Sequence, residues 1–472
     1  MVVLWWILIS LLGISFVADY PIAVFVGGAA GGVLVGFHST KNFPNKPCIS
    51  RFSEKYLWIF RYEMIWISIA CLFLLFSRRF PLWLSLWALL IVVATLGIRS
   101  WLCKNKTPID IPVILIMLLA LGGIFISVDS FLTRIGVFKM LAGIGVCFSL
   151  INWLEGRFNL RWILISFAVL AIIIGLSGPF FMELSRPKLP LISRFYAFIP
   201  EGLPKFFHFN FIGGVLTFFF PICFWNMIQD WKKNSYIFFL STLISGSCLI
   251  FTQSRGSLLG VIISLSIIGA YYKRWLNYMY ILKFGIFLGI ISLNLYIGFF
   301  ELSEVIISTD TGVSRIEIWS RTISIIQDFP FTGVGLLVFP IIVDMFYPLE
   351  LLDAQVPHPH NVYLDVAVSM GLPGFIAFGI LLGSWAYMLW DSLKLSWCLK
   401  DKNWHFAALG FSGSAIAHLS FSMTDAMLIG WTAGIIFWIV IGISVAMWRQ
   451  LQYETAMFVQ KGAPSLNADT IG

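Results

Sequence analysis

The 472-residue chain is 59% hydrophobic and only 11% charged, with a mean hydropathy of +0.90. Soluble globular domains carry about 25% charged residues, so this composition excludes them and describes a polytopic membrane protein. The formal net charge of +8 does not point to nucleic acid, because the basic residues sit in short gaps between apolar runs, where they mark topology.

Apolar runs of roughly 17–25 residues predict helices near 3–18, 21–37, 56–76, 81–98, 111–127, 135–154, 161–177, 209–229, 236–252, 256–272, 279–299, 371–391, 404–422 and 427–448. The first two are short enough to form one broken hairpin, so about 12–14 spans are expected. The segment from Met1 to Ala18 has no Lys or Arg ahead of its apolar core and no convincing cleavage site. It reads as a retained helix, not a removed signal peptide. The 20 Trp residues suit helix ends lying among lipid headgroups.

If the spans alternate from a cytoplasmic N-terminus, 18 of the 31 Lys and Arg residues fall in inside gaps, 10 in outside gaps and 3 within spans. This bias places both termini in the cytoplasm, with Arg78 and Arg79 breaking the pattern. All seven Cys fall inside or in spans, which argues against a disulfide framework. No internal repeat is evident. The chain divides into an N-terminal transmembrane bundle (1–177), an outer interfacial loop (178–208), a second helical group (209–299), an extracytoplasmic cap loop (300–360), C-terminal helices (361–448) and a cytoplasmic tail (449–472).

The two outward segments are too long to be turns. In 178–208, Pro187, Pro190, Pro200 and Pro204 prevent a single helix, and Arg186, Lys188 and Arg194 add charge. In 301–360, Ile316, Trp319, Ile323 and Ile326 recur at helical spacing, with Arg315 and Arg321 on other faces. This helix is expected to stop at Asp328-Phe329-Pro330. The segment is too apolar to be disordered, so it is expected to fold as a cap.

In "TQSRGSLLG", Arg255 lies at a membrane boundary, with Gly256 allowing a sharp turn. By helix parity Arg255, Arg315 and His360 share the outer face. Arg255 reads either as a functional cation or as an interfacial arginine snorkelling to headgroups, and Arg321 as a residue that solvates the cap helix. His358 and His360 form a His-Pro-His pair with no third ligand at recognisable spacing, so no metal is expected. His208 and His418 read as packed or interfacial. Asp425 lies between the last two spans and is either functional or a helix cap.

His360 and Asn361, nine further residues, then Gly371 and Gly374 fit the ligation motif of the O-antigen ligase family, which the chain resembles. Arg255 in "SRG" is similar to that family's earlier arginine motif. Arg315, Trp319, Asp328, Pro330, Gly333 and Gly335 are similar to its cap helix and turn, and Asn210 to an asparagine that opens another helix. The resemblance implies an all-α, GT-C-like bundle with a helical cap in the bacterial plasma membrane. It also implies transfer of a glycan from a polyprenyl-diphosphate carrier to an acceptor hydroxyl, on a lipid or a growing polysaccharide, at the outer face. Relatives include polymerases of repeat units and protein-glycosylating enzymes, so the acceptor stays open. An arginine suits a departing diphosphate better than a lysine does, and a histidine suits general-base work.

On that reading Arg255, Arg315 and His360 are catalytic, and Asn361, Arg194, Arg321, Asn210 and Asp425 bind substrate. No Asp-x-Asp triplet occurs, and no metal or other cofactor is expected. The rival reading is a transporter of a small anion such as bicarbonate, although the paired helix breaks usual in transporters do not appear.

Overall fold

The computed structural model describes residues 63–102, 107–155, 158–183, 207–229, 235–272, 313–350, 356–431 and 433–460. Arg194 and the predicted helices at 3–18, 21–37 and 279–299 lie outside them. Thirteen helices are described. In chain order they are α1 (Glu63–Leu75), α2 (Leu82–Leu102), α3 (Asp110–Ile126), α4 (Ser130–Leu154), α5 (Leu160–Phe181), α6 (Phe209–Ile228), α7 (Ser235–Thr252), α8 (Arg255–Tyr272), α9 (Val313–Asp328), α10 (Phe339–Phe346), α11 (Val362–Cys398), α12 (Lys402–Phe421) and α13 (Gly434–Gln460). The strands β1 (Met182–Glu183) and β2 (Phe207–His208) pair in parallel. Helices α4, α5, α6, α8, α11 and α13 are long and apolar enough to cross a membrane, and α1, α2, α3 and α7 are shorter apolar helices. The protein is an all-α integral membrane protein.

Polar residues between the apolar runs start several helices by accepting otherwise unsatisfied amide protons. Asp129 accepts from Phe131 and Leu132 ahead of α4, Asn159 from Trp162 ahead of α5, and Asp401 from Asn403 ahead of α12. Small residues then let helices approach closely, the usual basis of packing where lipid removes the hydrophobic drive. Gly143 of α4 lies against Trp438 of α13, and Gly260 of α8 against the Ala417 carbonyl of α12. The described cysteines are Cys71, Cys147, Cys223, Cys248 and Cys398, and all are free.

Several boundaries differ from the sequence reading. Helix α11 begins at Val362, nine residues before the expected start, because Asn361 caps it, and it continues through Gly371 with a kink. Helix α13 begins at Gly434, not near 427, since residues 422–431 are non-helical and include Gly430 at positive φ, and it runs on to Gln460.

The cap corrects another expectation. Its helix, α9, ends at Asp328 as predicted, but the buried stripe is Ile318, Thr322 and Ile325, while Ile316 and Ile323 are 69% and 47% exposed. Ile318 and Ile325 join Val338, Phe339, Ile342 and Val343 in a small core that closes on Val368 of α11.

One end of the bundle collects the connections that matter. The start of α4 meets the cap through the Thr133 hydroxyl, which donates to the Leu336 carbonyl. The start of α11 meets the end of α12 through the Val362 N–H and the Ser422 carbonyl, 2.8 Å apart. Gly213 at the start of α6 abuts Ser254 and Ser257 at the start of α8, while Gly256 abuts Thr424. At the opposite end, Phe158 stacks on Trp404 and Trp225 meets Tyr272.

Candidate functional site

The site is built around a break in α11. Gly371 has φ +67° and ψ −176°, so the helix loses its register there. The Leu372 N–H turns away to the Pro330 carbonyl at 2.7 Å, and Pro373 has no N–H to offer. The carbonyls of Val368 and Ser369 are thereby freed. They accept from the N–H groups of Val334 and Gly335 at 2.9 and 3.0 Å. Backbone polar groups at membrane depth must be satisfied by protein, and here the turn that follows the cap helix does it. The match is close: a Cβ on Gly333, at φ +62°, would stand 2.5 Å from the Ser369 carbonyl carbon, and one on Gly371 would stand 2.6 Å from that of Phe331.

The His-Pro-His turn ahead of α11 is fixed from three directions. The Trp319 indole N–H donates to the Pro359 carbonyl at 2.9 Å. Asn361 accepts from Tyr363 and Leu364, and its amide group donates to the Met423 carbonyl at 3.3 Å. His360 sits in the left-handed region at φ +51°, and its N–H donates to Nδ1 of His358 at 3.2 Å. Asn361 is thus committed to backbone at both ends of its side chain.

Asp425, on the α12–α13 connection, lies beneath both imidazoles. Its Oδ1 is 3.4 Å from Nε2 of His358 and 3.6 Å from Nδ1 of His360, and it accepts the Ala426 N–H at 2.8 Å. Asp425 and His358 are only 2% and 6% exposed. Burial alone would raise the Asp425 carboxyl, but the two imidazoles and the Ala426 amide outweigh it and hold the group below its usual value. Burial pushes His358 down to about 4, so that ring is neutral near pH 7.

His358, His360 and Asp425 offer three ligand atoms within 4.8 Å of one another, a grouping that spacing along the chain conceals because Asp425 arrives from another connection. The hydrogen bonding of His358 does not suit an ion there. Its Nδ1 accepts an amide proton, so Nε2 carries the ring proton and turns it toward the carboxylate. A ligating histidine does the opposite, presenting its lone pair to the metal and donating from the other nitrogen.

Arg255 opens α8 and Arg315 lies in the first turn of α9. Burial disfavours the charged form of the Arg255 guanidinium, and the positive charge of Arg315 disfavours it further. Arg315 stands four residues before Trp319 and so shares its face of α9, a correction to the sequence reading that put it on another face; Trp319 is the residue that touches the His-Pro-His turn. Arg321 points elsewhere and pairs with Glu350 at 2.9 Å near the cap surface. The turn ahead of Arg255 has its positive φ at Gln253, not at Gly256; Gly256 serves close packing against α12.

Asn210 lies in the first turn of α6, where its N–H donates to Nδ1 of His208 at 3.3 Å. His208 lies within the electrostatic reach of Asp425 and His360, a neighbourhood its sequence position does not reveal.

These features define an integral membrane protein with a carboxylate-backed pair of histidines at one end of its bundle, where the helix starts that carry Arg255 and Arg315 also lie. Residues 240–379 match the family model described as O-antigen ligase. The similarity covers a stretch that holds Arg255, Arg315, His360, Asn361, Gly371 and Gly374 and leaves out His208, Asn210 and Asp425. No curated protein matches the chain.

Proposed function

We propose that the protein transfers a glycan from a polyprenyl-diphosphate carrier to an acceptor hydroxyl, at the outer face of a bacterial plasma membrane and without a metal ion. The observation that carries this reading is the His-Pro-His turn backed by the Asp425 carboxylate, with the cap helix of Arg315 tied to it through Trp319 and the start of α8, which carries Arg255, packed against Thr424 beside Asp425. Two guanidinium groups can neutralise the charge that develops on a departing diphosphate. Bond breaking at the sugar anomeric carbon leaves the electron pair on the phosphate oxygen, and the acceptor oxygen forms the new bond.

His360 takes the acceptor proton. Asp425 has no proton to give while ionised, so it favours the His360 tautomer with hydrogen on Nδ1 and the lone pair on Nε2. Asp425 is thus a positioning residue and His360 the general base. Asn361 holds the turn in place. The basic residues between spans support an outward site and cytoplasmic termini.

The test is purified protein with a lipid-diphosphate glycan and candidate acceptors. Transfer is expected with the wild type and lost in Arg255→Ala, Arg315→Ala and His360→Ala variants that still insert. Full transfer by His360→Ala would remove the base assignment.

A further inference from the structure

Helix α6 begins between two of the elements that build the site. Gly213 in its first turns lies against Ser254, just ahead of α8, and Ser257 within it, so this helix start is beside the one that carries Arg255. Gly214 lies against the Phe421 ring at the end of α12, four residues before Asp425. The residue immediately ahead of α6 is His208, held by the β1–β2 pairing through its register with Glu183. Its Nδ1 accepts the Asn210 N–H at 3.3 Å, which leaves the ring proton on Nε2, the far corner of an exposed side chain. Burial of part of the ring lowers its pKa most, with Asp425 and Glu183 raising it and His360 lowering it, which agrees with a ring that lies toward the site.

We infer that His208 is a further binding residue for the donor, its Nε2–H donating a hydrogen bond to a phosphoryl oxygen of the diphosphate held by Arg255 and Arg315. This rests on the diphosphate reading given above. The contact needs no change in protonation, because Nε2 bears hydrogen in the neutral ring as well as in the charged one. It acts on binding and not on the proton transfer carried by His360. A single donor to a charged oxygen adds affinity of roughly tenfold.

Two substitutions separate this role from helix capping. His208→Asn keeps an acceptor near Nδ1 and removes the distal donor, whereas His208→Gln puts an N–H near Nε2 and removes the cap. The full-length protein in lipid nanodiscs is assayed for donor KM and kcat, and for inhibition by inorganic pyrophosphate. The expected result is that His208→Asn raises donor KM and the pyrophosphate inhibition constant about tenfold with kcat within twofold, while His208→Gln stays within twofold of wild type. The reverse order identifies the cap as the role of His208 and overturns the inference. If Arg255→Ala weakens pyrophosphate and neither His208 variant does, His208 is not a ligand and the diphosphate reading stands. If Arg255→Ala leaves pyrophosphate inhibition intact, the diphosphate reading itself falls.

Discussion

The indole N–H of Trp319 stands 2.9 Å from the carbonyl oxygen of Pro359, so the cap helix holds the residue that precedes His360. Trp319→Phe keeps most of the ring and deletes the bond. One such bond contributes about 1 kcal/mol. The variant is expected to insert normally and to lose about five- to tenfold in kcat with donor KM nearly unchanged, as read from initial rates.

Asp425→Asn removes the charge beneath both imidazoles at nearly constant volume. An amide can donate as well as accept, so His360 is no longer biased toward hydrogen on Nδ1. A loss of about two to four decades in kcat is expected, with donor KM little changed and a displaced pH–rate profile. An unchanged profile would mean that the carboxylate does not act through His360.

Backbone geometry predicts sharp glycine effects. Alanine at Gly371 or Gly333 requires a positive φ with a Cβ pressed on backbone atoms, a cost of about 2 kcal/mol or more. Thermal unfolding of the detergent-solubilised protein is expected several degrees lower for either variant. Gly379→Ala and Gly383→Ala, where a Cβ meets nothing within 4 Å, are expected to leave the midpoint within about one degree.

Acid is expected to weaken the fold through His358. The unfolded ring binds a proton near pH 6.5 and the folded one only near pH 4, so between those values the unfolded state holds more protons and stability falls as pH falls. Asp425, held below its usual value, adds a loss in the same direction at still lower pH. The thermal midpoint is expected to drop from pH 6.5 to 4 in the wild type and to change less in His358→Asn.

Because the ring proton of His358 faces the carboxylate, chelation is expected to leave turnover intact. EDTA at millimolar concentration tests this: loss of activity that Mg²⁺ restores would place an ion in the mechanism.

The sequence made the membrane class and most helices legible, since length and apolarity are local properties. It also singled out Arg255, Arg315 and the His360–Asn361 pair as candidates. The cap face was misread because Thr322 interrupts the buried stripe with a hydroxyl. That hydroxyl is satisfied by the Ile318 carbonyl at 2.6 Å, while the more apolar-looking Ile316 and Ile323 face outward. The placement of Asp425 beneath the imidazoles and of His208 at the helix start next to that of α8 was hidden for another reason. Each comes from a separate connection, and only helix packing brings them to the same place.

The repair of the α11 break by the cap turn also limits how this protein can be recombined. Neither partner is interchangeable alone: a foreign cap grafted onto this bundle would strand two carbonyls in a greasy surrounding, and a foreign α11 would meet amides with nowhere to go. Chimaeras that exchange 313–336 and 362–376 as a pair are the ones that should assemble.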